Sequence, residues 1–165
     1  MSNHVAAATL DPAAFLPLEG VSEESEKIKA LVKTYRAERR KPASFAWRDS
    51  LRDVVSELFR TCTDQGWDGY DAEPISMESA NGALTVLDVL PEGIQAPDVV
   101  PEPTGDIALE WHTEDHKHFS LSVTGPTLVY AGIFGGASKH YGEEQFFRVI
   151  PRTILGILLR YFPEA

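Results

Sequence analysis

Two short stretches carry most of the residue types that could do chemistry. The first is "EWHTEDHKH", Glu110 to His118, which sets three imidazoles among three carboxylates in nine residues. Neutral imidazole and carboxylate are zinc ligands, with Zn–N distances of about 2.0–2.1 Å. Glu110, His112, His116 and His118 are the candidate metal ligands, and Glu110, His112 and His118 carry the alternative reading of a metal-dependent hydrolase. Thr, Glu, Asp, His and Lys are also the ordinary composition of a solvated hairpin tip, and that reading is preferred, so neither metal nor cofactor is expected. Ser120 and Ser122 lie close by, but nothing resembles a strained G-x-S-x-G nucleophile turn. The second stretch is "GWDGYDAEPIS", Gly66 to Ser76. Asp68-Gly69 is a turn pair, because Asp bonds its own backbone and Gly adopts positive φ. Trp67 and Tyr70 can pin such a turn to a core, and Pro74-Ile75-Ser76 can open the next helix. Asp68, Asp71 and Glu73 lack the acidic pattern and terminal glutamate of a calcium loop. The segment therefore reads as a joint between helices with its charge turned outward.

The elements that must position these stretches are legible from period. Ser22 to Lys41 reads as a helix opened by a serine cap and acidic first turn, carrying Ile28, Leu31, Val32 and Tyr35 on one side and ended by Pro42. A second helix over about 45–63 shows a stripe of Trp47, Leu51, Val54, Val55, Leu58, Phe59 and Cys62. A third starts at the cap Ser76 and presents Ala80, Ala83, Leu84, Leu87 and Leu90, with Ala80, Gly82 and Ala83 small enough for close approach to a neighbour. Val99 and Val100, inside a proline-rich connection, suggest a short edge strand. From Asp106 the period becomes two, in segments centred on Leu109, Leu121 and Leu128. Pairing Leu109 with Phe119 leaves a three-residue turn, Thr113 to Asp115, and sets Glu110 opposite His118 and His112 opposite His116. Pairing Val123 with Leu128 leaves a Gly125-Pro126 turn. Gly132 to Gly142 reads as a glycine-rich loop without a P-loop ending. A last helix is expected with Pro151 at its first position and Ile150, Ile154, Leu155, Leu158, Leu159 and Phe162 on its apolar side.

The expected fold is α+β: three N-terminal helices, a three- to four-stranded antiparallel meander, and a C-terminal helix packed on one sheet face. Residues 1–21 read as an extended or mobile tail and 22–165 as one domain. The 165 residues suffice to bury about 70% of the unfolded chain's surface, and no apolar run reaches the ~18 residues of a membrane span. One cysteine, Cys62, excludes an internal disulfide and fits a reducing, cytoplasmic setting.

The net charge of -10 is unevenly laid out: ten basic residues lie between Lys27 and Arg60, and thirteen acidic residues with no Lys or Arg lie between Thr61 and His116. An acidic side repels nucleic-acid backbones and attracts basic proteins.

"GWDGYDAEPIS" followed by "PEPTGDIALEW" (Pro101 to Trp111) resembles an uncharacterised family of small bacterial proteins that pair a WDGYGA-x-PI segment with a P-x-GxIxLEW strand. The likeness covers roughly residues 66–162, with Asp71 standing where the family pattern has glycine. The resemblance implies architectural importance for both segments and no particular activity.

The sequence therefore points to a small acidic binding protein, of the antitoxin, immunity-like or accessory-subunit kind, without catalysis. Trp67, Asp68, Tyr70, Asp71 and Glu73 are the candidate contacts, and the expected partner is another protein of basic character; self-association through strand edges is a third reading.

Overall fold

The computed structural model describes residues 46–136 and 138–164. The expected helix over 22–41 and the tail before it lie outside the described residues. Helix α1, Ala46–Thr61, buries Trp47, Leu51, Val54, Val55 and Leu58, the stripe that its 3.6-residue period requires. Helix α2, Met77–Val89, begins where Ser76 Oγ accepts the Ser79 backbone N–H at 3.0 Å, one of the donors a helix start leaves without an intrahelical partner. The two helices pack together and are joined across their exposed side by an Arg52–Asp88 ion pair. α2 lies on the sheet, and a Cβ added at Gly82 would sit 2.5 Å from Val123 Cγ1. The expected close approach of small residues is thus to a strand.

The sheet is a five-stranded antiparallel meander in the order β1-β2-β3-β4-β5, comprising β1 Asp98–Pro101, β2 Ile107–His112, β3 His118–Thr124, β4 Thr127–Ile133 and β5 Lys139–Gln145. One face carries Val99, Leu109, Trp111, Phe119, Leu121, Val123, Leu128 and Tyr130 into a continuous core with both helices. Helix α3, Arg152–Tyr161, joins the same core through Ile154, Ile157 and Leu158, and the Phe162 ring just beyond it lies 6.4 Å from that of Phe119. Pro151 sits at the cap itself, one position before the place expected for it. Leu159, assigned to the apolar side, is 49% exposed. Among the described residues no helix is long and apolar enough to cross a membrane.

The fold is α+β, as the change of period implied, with two corrections to the sheet. The first is register. Leu109 opposes Leu121 and Trp111 opposes Phe119, two residues away from the expected pairing, while Val123 opposes Leu128 as expected. The hairpin loop keeps its three-residue length but consists of Glu114, Asp115 and His116. Thr113 donates to Lys117 O at 3.0 Å, His116 donates to Thr113 O at 3.2 Å, and His116 takes φ 63°. That is a turn followed by a left-handed residue, a common three-residue hairpin connection. Moving the loop by one residue shifts the pairing by two, so every side chain keeps its face. Only the partners change, and the new ones bring the Trp111 and Phe119 rings to 5.9 Å.

The second correction concerns the expected loop Gly132–Gly142. β4 runs on to Ile133, a turn closed by Phe134 N–H to Ser138 O at 3.1 Å follows, and β5 completes a fifth strand. None of the seven residues of β5 is fully buried. Its backbone pairs with β4 while its side chains show no buried alternation, so hydropathy carries no strand signal there.

Candidate functional site

The bend Gly66–Ser76 is built as a joint. Asp68 Oδ1 accepts the Tyr70 N–H at 2.8 Å and the Ala72 N–H at 3.3 Å, so this carboxylate is spent on its own turn. Trp67 is buried, and its Nε1–H donates to Glu73 O at 2.8 Å. Ile75 N–H returns to Cys62 O at 2.9 Å, tying the bend to the end of α1. The second segment of the resemblance meets the first directly: Glu73 N–H donates to Pro103 O and Ser76 N–H to Gly105 O, both at 2.8 Å. One helical turn on, the buried Ser79 hydroxyl accepts the Ile107 N–H at 2.7 Å. The cap of α2 and the start of β2 are thereby fastened together. Of the candidate contacts, Trp67 is inside the core and unavailable to a partner, whereas Tyr70, Asp71 and Glu73 are exposed. Asp71 keeps negative φ, since positive φ in non-glycine residues is confined to His116 and Arg148 among the described residues.

Among the described residues no helix covers the other face of the sheet. Toward its β1 side it is polar. Glu102 Oε1 accepts the Ser122 hydroxyl at 3.0 Å, spanning Ala108, which is the residue paired with Ser122. Partial burial, and then the nearby Asp106 and Glu110, push the Glu102 carboxyl above its usual range; the Ser122 bond opposes that shift. A carboxyl with a raised folded-state pKa binds its proton more tightly in the native state, so its charge costs stability at neutral pH, and the cost disappears as pH falls below the ordinary carboxyl range. Glu102→Gln, which keeps an oxygen for Ser122, is expected to raise the thermal midpoint at pH 7 and to leave it unchanged near pH 3. Solvent screening holds the gain below about 1 kcal/mol. Differential scanning calorimetry at the two pH values reads it, and a variant less stable at pH 7 would contradict the assignment.

At the hairpin end of the same face, His112 and His118 oppose each other with rings stacked 4.4 Å apart and 8° from parallel. Glu110, two residues before His112, places Oε2 3.2 Å from His112 Nε2 and 3.9 Å from His118 Nε2. Three of the four candidate ligands therefore converge. His116 does not join them, because its left-handed backbone puts it at the exposed loop tip. At that tip, bonds from Lys117 and then Thr113 hold the Asp115 carboxyl below its ordinary range.

The β4–β5 side of that face is mixed, with Val129, Ala131, Ile133 and Tyr141 set among Lys139, Glu143 and Gln145, and its apolar share was not expected from the sequence. Val129, Ala131 and Ile133 pair with Glu143, Tyr141 and Lys139 in turn. Tyr141 is 82% exposed, and just beyond the strand Phe147 and Val149 are 76% and 73% exposed. β5 has no second neighbour among the described residues, so it is an edge strand with free backbone groups. A usable signal was present in Phe146-Phe147, adjacent aromatics of which an extended chain can bury only one.

Fold and site together define an α+β chain in which, among the described residues, helices cover one sheet face and not the other. No protein-family model matches it, and neither a curated protein nor a solved structure does.

Proposed function

We propose that this chain is a non-catalytic protein-binding module that receives an extended, basic segment of another protein along β5. The observation that carries the reading is a strand edge with no second neighbour among the described residues, flanked by exposed apolar side chains at both ends, Ile133 and Tyr141 toward the β4–β5 turn and Phe147 and Val149 beyond the other end of the strand. Strand addition draws affinity from main-chain hydrogen bonds and selectivity from alternate side chains. Exposed aromatic side chains beside a strand edge suit an interaction surface, because tyrosine and phenylalanine are rigid anchors with little entropy to lose. The net charge of -10, with Glu143 and Glu144 on the strand itself, favours a basic partner over an acidic one. Tyr70, Asp71 and Glu73 form a second exposed area beside the opposite edge of the sheet.

Affinity capture from the native host with the full-length chain, followed by binding measurements on the purified partner, tests this reading. Tyr141→Arg with Phe147→Arg should weaken binding at least tenfold, since each removes an apolar anchor and repels a basic ligand. Asp71→Lys with Glu73→Lys should change it less than threefold. Loss confined to the second pair would move the interface to the bend and overturn the β5 assignment. A dimeric wild type that becomes monomeric with the β5 variants, seen by light scattering, would make the occupant a second copy and equally overturn it.

A further inference from the structure

We propose that Glu110, His112 and His118 form a site for one divalent ion of the borderline transition series, represented by Zn2+, with its remaining coordination position open to solvent. Two observations on this hairpin carry the assignment, the spacing of the donors and an unpartnered ring nitrogen. The three potential ligand atoms lie within 4.8 Å of one another. In tetrahedral coordination with bonds of about 2 Å the donors stand roughly 3.3 Å apart. Glu110 Oε2 stands 3.2 Å from His112 Nε2 and 3.9 Å from His118 Nε2, close enough for a rotation of the rings to bring the three donors to that spacing. His118 Nε2 is shielded from solvent and has no hydrogen-bond partner, a costly condition that a metal bond would relieve.

The scaffold suits this role. Directly opposed residues of antiparallel strands have Cβ atoms about 4.5–5.5 Å apart, and residues two apart on one strand share a face. Glu110 and His112 are therefore presented by one strand and His118 by the other, without help from mobile loops. An ion must lie in the plane of each ligating imidazole, so the two parallel rings have to rotate about Cβ–Cγ until their planes meet near Glu110 Oε2. His112 is exposed, which leaves room for that rotation and for a bound water. Two nitrogens and one carboxylate oxygen favour zinc, copper, nickel or cobalt over the oxygen-preferring calcium and magnesium. Three protein ligands with an open position differ from the closed four-ligand arrangement of a purely structural zinc site.

The test uses the full chain stripped with chelator and titrated calorimetrically with ZnCl2 alone. One equivalent should bind saturably, and excess Zn2+ should raise the thermal midpoint, because the ion binds the native hairpin in preference to the unfolded chain. Co2+ in its place should give the visible absorption of a four-coordinate ion. His112→Ala, His118→Ala and Glu110→Gln should each lower affinity by at least the ~10–100-fold that loss of even an outer-sphere partner causes. Their far-ultraviolet spectra should be unchanged, since none of the three side chains belongs to the core. His116→Ala and His140→Ala should bind as the wild type does. Non-saturating uptake overturns the site, as does binding that survives His118→Ala or falls equally with His116→Ala. In those cases the imidazoles bind metal only incidentally.

Discussion

Phe119→Ala is expected to lower the unfolding free energy by about 3–5 kcal/mol, the range for removing a fully buried aromatic. The ring is wholly shielded and is shared by nearly every part of the described core. Its centroid lies 5.9 Å from Trp111 on β2, 6.0 Å from Tyr130 on β4, 6.1 Å from Phe134 at the β4–β5 turn and 6.4 Å from Phe162 after α3. Truncation leaves a space that four other large rings, each locked in its own packing, cannot readily fill, so the cavity term adds to the lost transfer energy. Against a total stability of about 5–15 kcal/mol this is a severe loss. Urea unfolding followed by tryptophan fluorescence measures it, because Trp47, Trp67 and Trp111 are all buried in the same core. Tyr141→Ala is the control: that ring is solvated, and its removal should change stability by less than about 0.5 kcal/mol. A loss at Phe119 no greater than at Tyr141 would mean that the assignment of the two sheet faces is inverted.

Gly105→Ala carries the second large effect, about 2–4 kcal/mol. Gly105 has φ +82°, where an L-residue costs roughly 1–2 kcal/mol. An added Cβ would in addition stand 2.6 Å from the Pro74 carbonyl oxygen, a backbone atom held in place by the bonds that tie the bend to the β1–β2 turn. Relief of that clash must loosen the Ser76 N–H to Gly105 O bond, and with it the start of α2. Gly69→Ala separates the two contributions. Gly69 has φ +87° with nothing within 4 Å of the added atom, so it should lose only the conformational part. Equal losses at the two glycines, read from the same urea transitions, would show that the contact between the two segments contributes nothing to stability.

Much of this architecture was legible from residue spacing. The stripe of α1, the Ser76 cap of α2 and the alternation of β2, β3 and β4 each reflect a local requirement: one side of the element must be apolar at the element's own period. The Val123–Leu128 pairing was legible for the same reason, because a two-residue turn leaves the register no freedom. The three-residue loop at Glu114–His116 does leave freedom. Sliding it by one residue preserves every face, and hydropathy cannot distinguish the two pairings. Ring packing between Trp111 and Phe119, together with the left-handed turn at His116, selects one. That selection also decides the candidate site, since it sets His112 against His118 and removes His116.

The bend shows the same division. Its turn chemistry at Asp68-Gly69 and the packing of Trp67 on the core could be read from residue types, but the expectation that Tyr70 pins the bend as well fails, since its ring is 85% exposed. β5 was invisible because an edge strand is held by backbone hydrogen bonds to its neighbour and need not bury side chains. From its sequence alone, then, this protein had the helices and alternating strands of its described residues and its acidic charge, all of which follow from short-range periodicity and composition. The tertiary structure alone decided which imidazoles meet, which aromatic goes inside and where the sheet ends, because each depends on contacts between segments far apart in the chain.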